Sequence, residues 1–131
     1  MYNLTNMRKN SKAVEDYLET ILVLGEKELP LSITNVAKAL RVSKPAATQM
    51  ASELKSRGFI SKARYGELAL TPLGTKVASE VYHRHKVLRV YLESIGVSSE
   101  TAEIDCCQIE HVISEETFKA IESKVIAKSE S

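Results

Sequence analysis

The sequence predicts a mainly α fold, with an N-terminal winged helix-turn-helix (three helices plus a two-stranded wing) over residues 1-73 and an all-helical dimerisation domain over residues 74-131. Three observations predict it. Apolar residues recur at helical spacing through most of the chain. Ser43-Lys44-Pro45 marks a sharply capped helix start directly after a short helix. Two strand-like runs flank Tyr65-Gly66-Glu67.

Taken in order, Ala13, Val14, Tyr17, Leu18, Ile21 and Leu24 form the apolar stripe of a first helix from about Ser11 to Glu26, with Gly25 and Pro30 bracketing its exit. Ser32 caps a short second helix through Leu40, which turns Ile33, Val36, Ala37 and Leu40 inward. After a tight Arg41-Val42 connection, Ser43 caps a third helix with proline in its first turn, and Gly58 stops it after Arg57. Phe59 to Arg64 and Leu68 to Thr71 read as a β-hairpin. Thr71 then caps a long helix reaching about Ile95, and Gly96 ends it. A fifth helix starts at Ser98 or Ser99 and runs to about His111. The last runs from Glu115 to Ala127, its acidic first turn suiting the helix dipole, and the tail Lys128 to Ser131 is expected to fray.

Composition narrows the function classes. The chain has 131 residues, 44% hydrophobic and 27% charged, ordinary values for a globular protein. No apolar run is long enough to span a bilayer and the first residues lack a leader pattern, so a cytoplasmic location without a membrane partner is expected. The two cysteines are the neighbours Cys106 and Cys107, a poor geometry for an unstrained disulfide. Net charge is only +1 but unevenly placed. From Thr34 to Arg64 there are seven cations against one anion, and from Glu93 to Ser131 nine anions against three cations. One end therefore suits a polyanion and the other a cationic ligand.

In a winged helix-turn-helix the second helix of the motif enters the major groove. Here it presents Ser43, Lys44, Pro45, Ala46, Ala47, Thr48 and Gln49. Gln49 is the side chain best able to pair with a base edge, an adenine in the simplest geometry, while Pro45, Ala46 and Ala47 can meet thymine methyls. Lys44, Lys55, Lys62 and Arg64 fit phosphate contacts that position without reading sequence. A cation cluster alone could be only a solvated face; its combination with the hairpin and the capped helix favours double-stranded DNA.

Three groups of potential metal ligands fall on three helices: Asp16 and Glu19 on the first, His85 on the long one, and Cys107, Glu110 and His111 on the fifth. Spacings of three and four place each group on one helical face. Carboxylate, imidazole and thiol together suit a borderline divalent transition metal rather than calcium. His83 should point away from His85, and Cys106, about 100 degrees round the helix from Cys107, is expected to pack rather than ligate. A cysteine and histidine on one helix without an oxyanion nest make a poor nucleophilic site, so an enzyme is not expected.

The segments Val14-Glu15-Asp16-Tyr17-Leu18-Glu19-Thr20-Ile21, Val42-Ser43-Lys44-Pro45 with Thr48-Gln49-Met50, Leu70-Thr71-Pro72-Leu73-Gly74, Tyr82-His83-Arg84-His85, and Cys107-Gln108-Ile109-Glu110-His111 with Ser114-Glu115-Glu116 resemble the diphtheria-toxin-repressor family of metal-dependent regulators. The likeness is to its short manganese-regulator branch and runs from about Lys12 to Lys124. It implies a two-metal site at Asp16, Glu19, His85, Cys107, Glu110 and His111. Asp16 stands where iron-sensing relatives tend to carry methionine, which leans to manganese. Cys107 leans to iron, because thiolate is softer than manganese prefers. Arg89 stands where iron-type relatives place an acidic ligand of their ancillary site, so no ancillary site of that design is expected, nor is the SH3-like domain of longer relatives.

The function expected is a homodimeric repressor that binds operator DNA when Mn2+ or Fe2+ is bound and controls metal-uptake genes, with no organic cofactor. Leu92, Ile95, Ile109, Val112, Ile113 and Phe118 are the expected dimer surface. The alternatives are a metal-independent winged-helix regulator answering to a small ligand, and a metal-binding protein with no DNA role.

Overall fold

A computed structural model describes residues 10–62 and 66–130. Their order is α1 (Lys12–Glu26), α2 (Ile33–Leu40), α3 (Lys44–Ser56), β1 (Ile60–Lys62), β2 (Leu68–Leu70), α4 (Pro72–Ser94), α5 (Ser99–Val112) and α6 (Glu115–Glu130). The described residues divide into two compact units, one within 13–80 and one of 81–130 with 10–12.

The first unit is built on α1. Val14, Tyr17, Leu18, Ile21 and Leu24 are buried with Val36 and Ala37 of α2, Ala47, Ala51 and Leu54 of α3, and Phe59, Ile60, Leu68 and Ala78. Each fully buried leucine or isoleucine here contributes roughly 1.5–3 kcal/mol relative to exposure. The hairpin is antiparallel, with Ile60 opposite Leu70 and Lys62 opposite Leu68. The Leu68 N–H donates instead to the Leu31 carbonyl at 2.7 Å, so the wing is also bonded to the segment leading into α2.

Caps fix the helix boundaries. Ser32 Oγ accepts from the Asn35 N–H and Ser43 Oγ from the Ala46 N–H. Between these helices Arg41 takes the left-handed conformation at φ 59, giving its N–H to the last turn of α2. At the start of α4 the Thr71 hydroxyl donates to the Gly58 carbonyl at 2.6 Å and accepts from the Gly74 N–H at 3.1 Å. Gly74 is required by contact: a Cβ there would lie 2.0 Å from the Phe59 carbonyl oxygen. The Thr71-Pro72-Leu73-Gly74 segment thus joins cap, proline and close approach in one turn.

In the second unit Leu88, Cys106 and Phe118 are buried, with Val87, Leu92, Ile109, Ile113 and Ile121 packed against them. Ser98 caps α5. The last helix extends past Ala127 to Glu130, a stretch with no glycine or proline to interrupt it. Among the described residues no helix is long and apolar enough to cross a membrane.

Candidate functional site

In the first unit, burial of Ala47, Ala51 and Leu54 turns the opposite face of α3 outward. Ser43, Lys44, Pro45, Thr48, Gln49 and Lys55 are exposed and Ala46 is half-buried. Ala47 is fully buried, which removes it from the groove-facing residues expected of this helix. The Thr48 hydroxyl donates to the Lys44 carbonyl at 2.9 Å, so its hydrogen is engaged within its own helix. Lys62 closes β1, and Arg64 lies outside the described residues. Beside α3, an open groove of about 230 Å³ is lined by residues that include Thr48, Ser52, Lys55, Ser61 and Gly66.

The position of α3 is set by Tyr17, whose hydroxyl donates to the Ala47 carbonyl at 3.0 Å within the core. Burial pushes this phenol up to about 12 from 10.0. Asp16 and Glu19, half-buried, flank Tyr17 on α1.

In the second unit the imidazole of His85, on α4, meets α5. Nδ1 donates to Glu110 Oε2 at 2.8 Å and Nε2 to Glu103 Oε2 at 3.1 Å. Cys106 Sγ lies 3.5 Å and Cys107 Sγ 3.8 Å from Nδ1. Bonding to Cys107 and then to Glu110 outweighs burial and raises the imidazole to about 11, in keeping with carboxylates on both ring nitrogens. Glu110 is fully buried, and its second oxygen is 3.2 Å from His111 Nε2. Arg89 reaches Glu103 at 3.2 Å and Glu93 at 3.1 Å, so a guanidinium supplies positive charge beside the imidazole.

Of the expected ligands, His85, Cys107, Glu110 and His111 are therefore gathered within this unit, while Asp16 and Glu19 belong to the other. His83 does point elsewhere, bonding Glu122 at 2.5 Å. Cys106 packs, at 0% exposed, and its sulfur also lies against the His85 ring, which sits between two adjacent α5 side chains. Glu103 was missed, although it lies four residues before Cys107 and so on the same helical face. Imidazole, thiol and carboxylate in this arrangement fit a borderline divalent metal. Among the residues expected to form a dimer surface, Phe118 fills the unit's own core, Leu92, Ile109 and Ile113 are half-buried against it, and Ile95 and Val112 are exposed.

Residues 9–68 match the family model of the iron dependent repressor N-terminal DNA binding domain, and residues 71–126 that of the iron dependent repressor metal binding and dimerisation domain. An HTH-type transcriptional regulator of Methanocaldococcus jannaschii is 33% identical over 113 residues, covering 85% of this chain and 90% of its own length. The HTH-type transcriptional regulator MntR of Geobacillus kaustophilus is 34% identical over 102 residues, or 78% of this chain and 72% of that protein. A solved manganese-dependent transcriptional repressor in complex with manganese aligns with a TM-score of 0.79 at 24% identity, a likeness of fold. That alignment covers 86% of this chain and 52% of the solved one, so the chain spans about half that structure's length.

Proposed function

Because the chain belongs to the iron-dependent repressor family of metal-dependent transcriptional regulators, which are not enzymes, we propose that it represses transcription by binding operator DNA as a homodimer when Mn2+ or Fe2+ is bound. One observation carries the reading. A single chain combines a capped helix with an exposed cationic, Gln49-bearing face and a buried imidazole, thiol and carboxylate cluster around His85.

In this reading residues 1-73 bind DNA and residues 74-131 bind metal and dimerise. Gln49 reads a base edge, with Pro45 and Ala46 against thymine methyls, while Ser43, Lys44, Thr48, Lys55, Lys62 and Arg64 contact the backbone. His85, Cys107, Glu110 and His111, joined by Asp16 and Glu19 on the strength of the resemblance, are the metal ligands. The names of the relatives support manganese and the Cys107 thiol supports iron. Ile95 and Val112 supply exposed apolar surface for pairing, joined by the half-buried Leu92, Ile109 and Ile113. The regulator acts in the cytoplasm, on metal-uptake genes.

A coupling of about 1–3 kcal/mol between ion and operator would change affinity roughly 5- to 150-fold. Operator gel shifts with manganese, with ferrous iron under anaerobic conditions, and with chelator test the proposal. Metal-dependent retardation is expected. Retardation that ignores chelator would indicate instead a metal-independent regulator, and none in any condition a metal-binding protein without a DNA role.

A further inference from the structure

The cluster on His85 contains a thiol that the proposed ligand set does not use. We propose that Cys106 is itself a metal ligand, and that with Cys107 and His85 it forms a two-thiolate, one-imidazole set selecting a thiophilic divalent cation over manganese. The inference rests on the reading that His85 and Cys107 hold metal.

Geometry is the first support. Cys106 Sγ is 3.5 Å from His85 Nδ1 and 3.7 Å from Nε2, and Cys107 Sγ is 3.8 Å from Nδ1. One ligand atom from each of the three residues lies within 4.8 Å of the others. Successive residues on a helix diverge by about 100 degrees, so two adjacent cysteines share a target only where a third group enters between them. His85, coming from α4, is that group.

Chemistry is the second. The Cys106 thiol donates to the Glu103 carbonyl at 3.4 Å, a weak bond whose loss on deprotonation is slight. A coordinated thiol gives up its proton to solvent as the metal–sulfur bond forms, with no oxidant or reductant needed. Each added thiolate moves preference away from manganese toward softer ions. Glu110 and Glu103, both on the same ring, supply oxygen for remaining positions.

The test uses the reduced full-length protein under anaerobic conditions, titrated with Co2+ and read by thiolate-to-metal charge-transfer absorbance. The wild type should show about twice the intensity of Cys106→Ser or of Cys107→Ser, scaling with the sulfurs bound. X-ray absorption of the Zn2+-loaded wild type should find two sulfur neighbours at about 2.3 Å, a measurement that needs no variant to fold. Cys106→Ala should also bring Zn2+ and Mn2+ affinities closer by on the order of 10- to 100-fold. One sulfur neighbour, with wild-type intensity in Cys106→Ser and loss only in Cys107→Ser, would overturn this inference and leave the metal site standing. A wild type that takes up neither Co2+ nor Zn2+ would overturn both.

Discussion

The Tyr17 hydroxyl donates a buried 3.0 Å hydrogen bond to the Ala47 carbonyl, fastening the helix that carries Asp16 and Glu19 to the helix that carries Gln49. Tyr17→Phe keeps the ring and removes only this donor. A loss of about 1 kcal/mol is expected in urea unfolding, and an unchanged midpoint would mean that packing alone sets the position of α3.

The same residue carries a pH signature. Unfolded, Tyr17 should ionise near its ordinary 10.0, and folded near about 12, so the native state holds the proton more tightly. Its contribution to stability is complete below pH 10 and diminishes as the pH climbs toward 12. Ultraviolet titration should find a late tyrosine ionisation, and Tyr17→Phe should abolish that late step.

Two glycine-to-alanine changes should have opposite signs. Gly74→Ala places a Cβ against the Phe59 carbonyl and should cost upward of about 2 kcal/mol. Gly25→Ala, at a helical position with open space, should gain up to about 1 kcal/mol. Thermal melts of the two variants beside the wild type decide both.

On DNA, Gln49→Ala should weaken binding to the best operator by about 1–3 kcal/mol while relaxing choice at a single base pair. Lys55→Ala should lower affinity for all sequences alike and reduce the slope of log affinity against log salt by about one. Fluorescence anisotropy over a salt series distinguishes the two patterns.

For the metal response, Glu110→Gln and His111→Ala should each abolish metal-dependent operator binding with the dimer intact by sizing chromatography. An unaltered response would remove these residues from the ligand set.

The fold was largely legible because its punctuation is local. Ser32, Ser43 and Ser98, and Thr71 in accepting from the Gly74 N–H, each cap a helix within a turn of where they stand, so these caps could be read without tertiary knowledge. Periodicity likewise found Tyr17, Leu18 and Ile21. The site was legible only as faces: Cys107 and Glu110 share one, and both meet His85. What helical spacing could not supply was the direction from which His85 arrives. Judged from α5 alone Cys106 diverges from Cys107, and only the entry of α4 gives them a common neighbour. For Phe118, buried in its own unit, the reason is related: an apolar stripe does not distinguish a surface that pairs with a twin from one that packs against its own α4 and α5.

Arg41 makes the corner between α2 and α3 in a conformation that costs a residue with a Cβ roughly 1–2 kcal/mol and a glycine almost nothing. Its side chain is exposed, in the most cationic stretch of the chain. If the exposed Arg41 side chain adds to the proposed DNA contact, heat resistance and grip on a polyanion oppose one another at this position. Variants selected only for thermal endurance should drift toward glycine or asparagine here, and hold nucleic acid less firmly as they do.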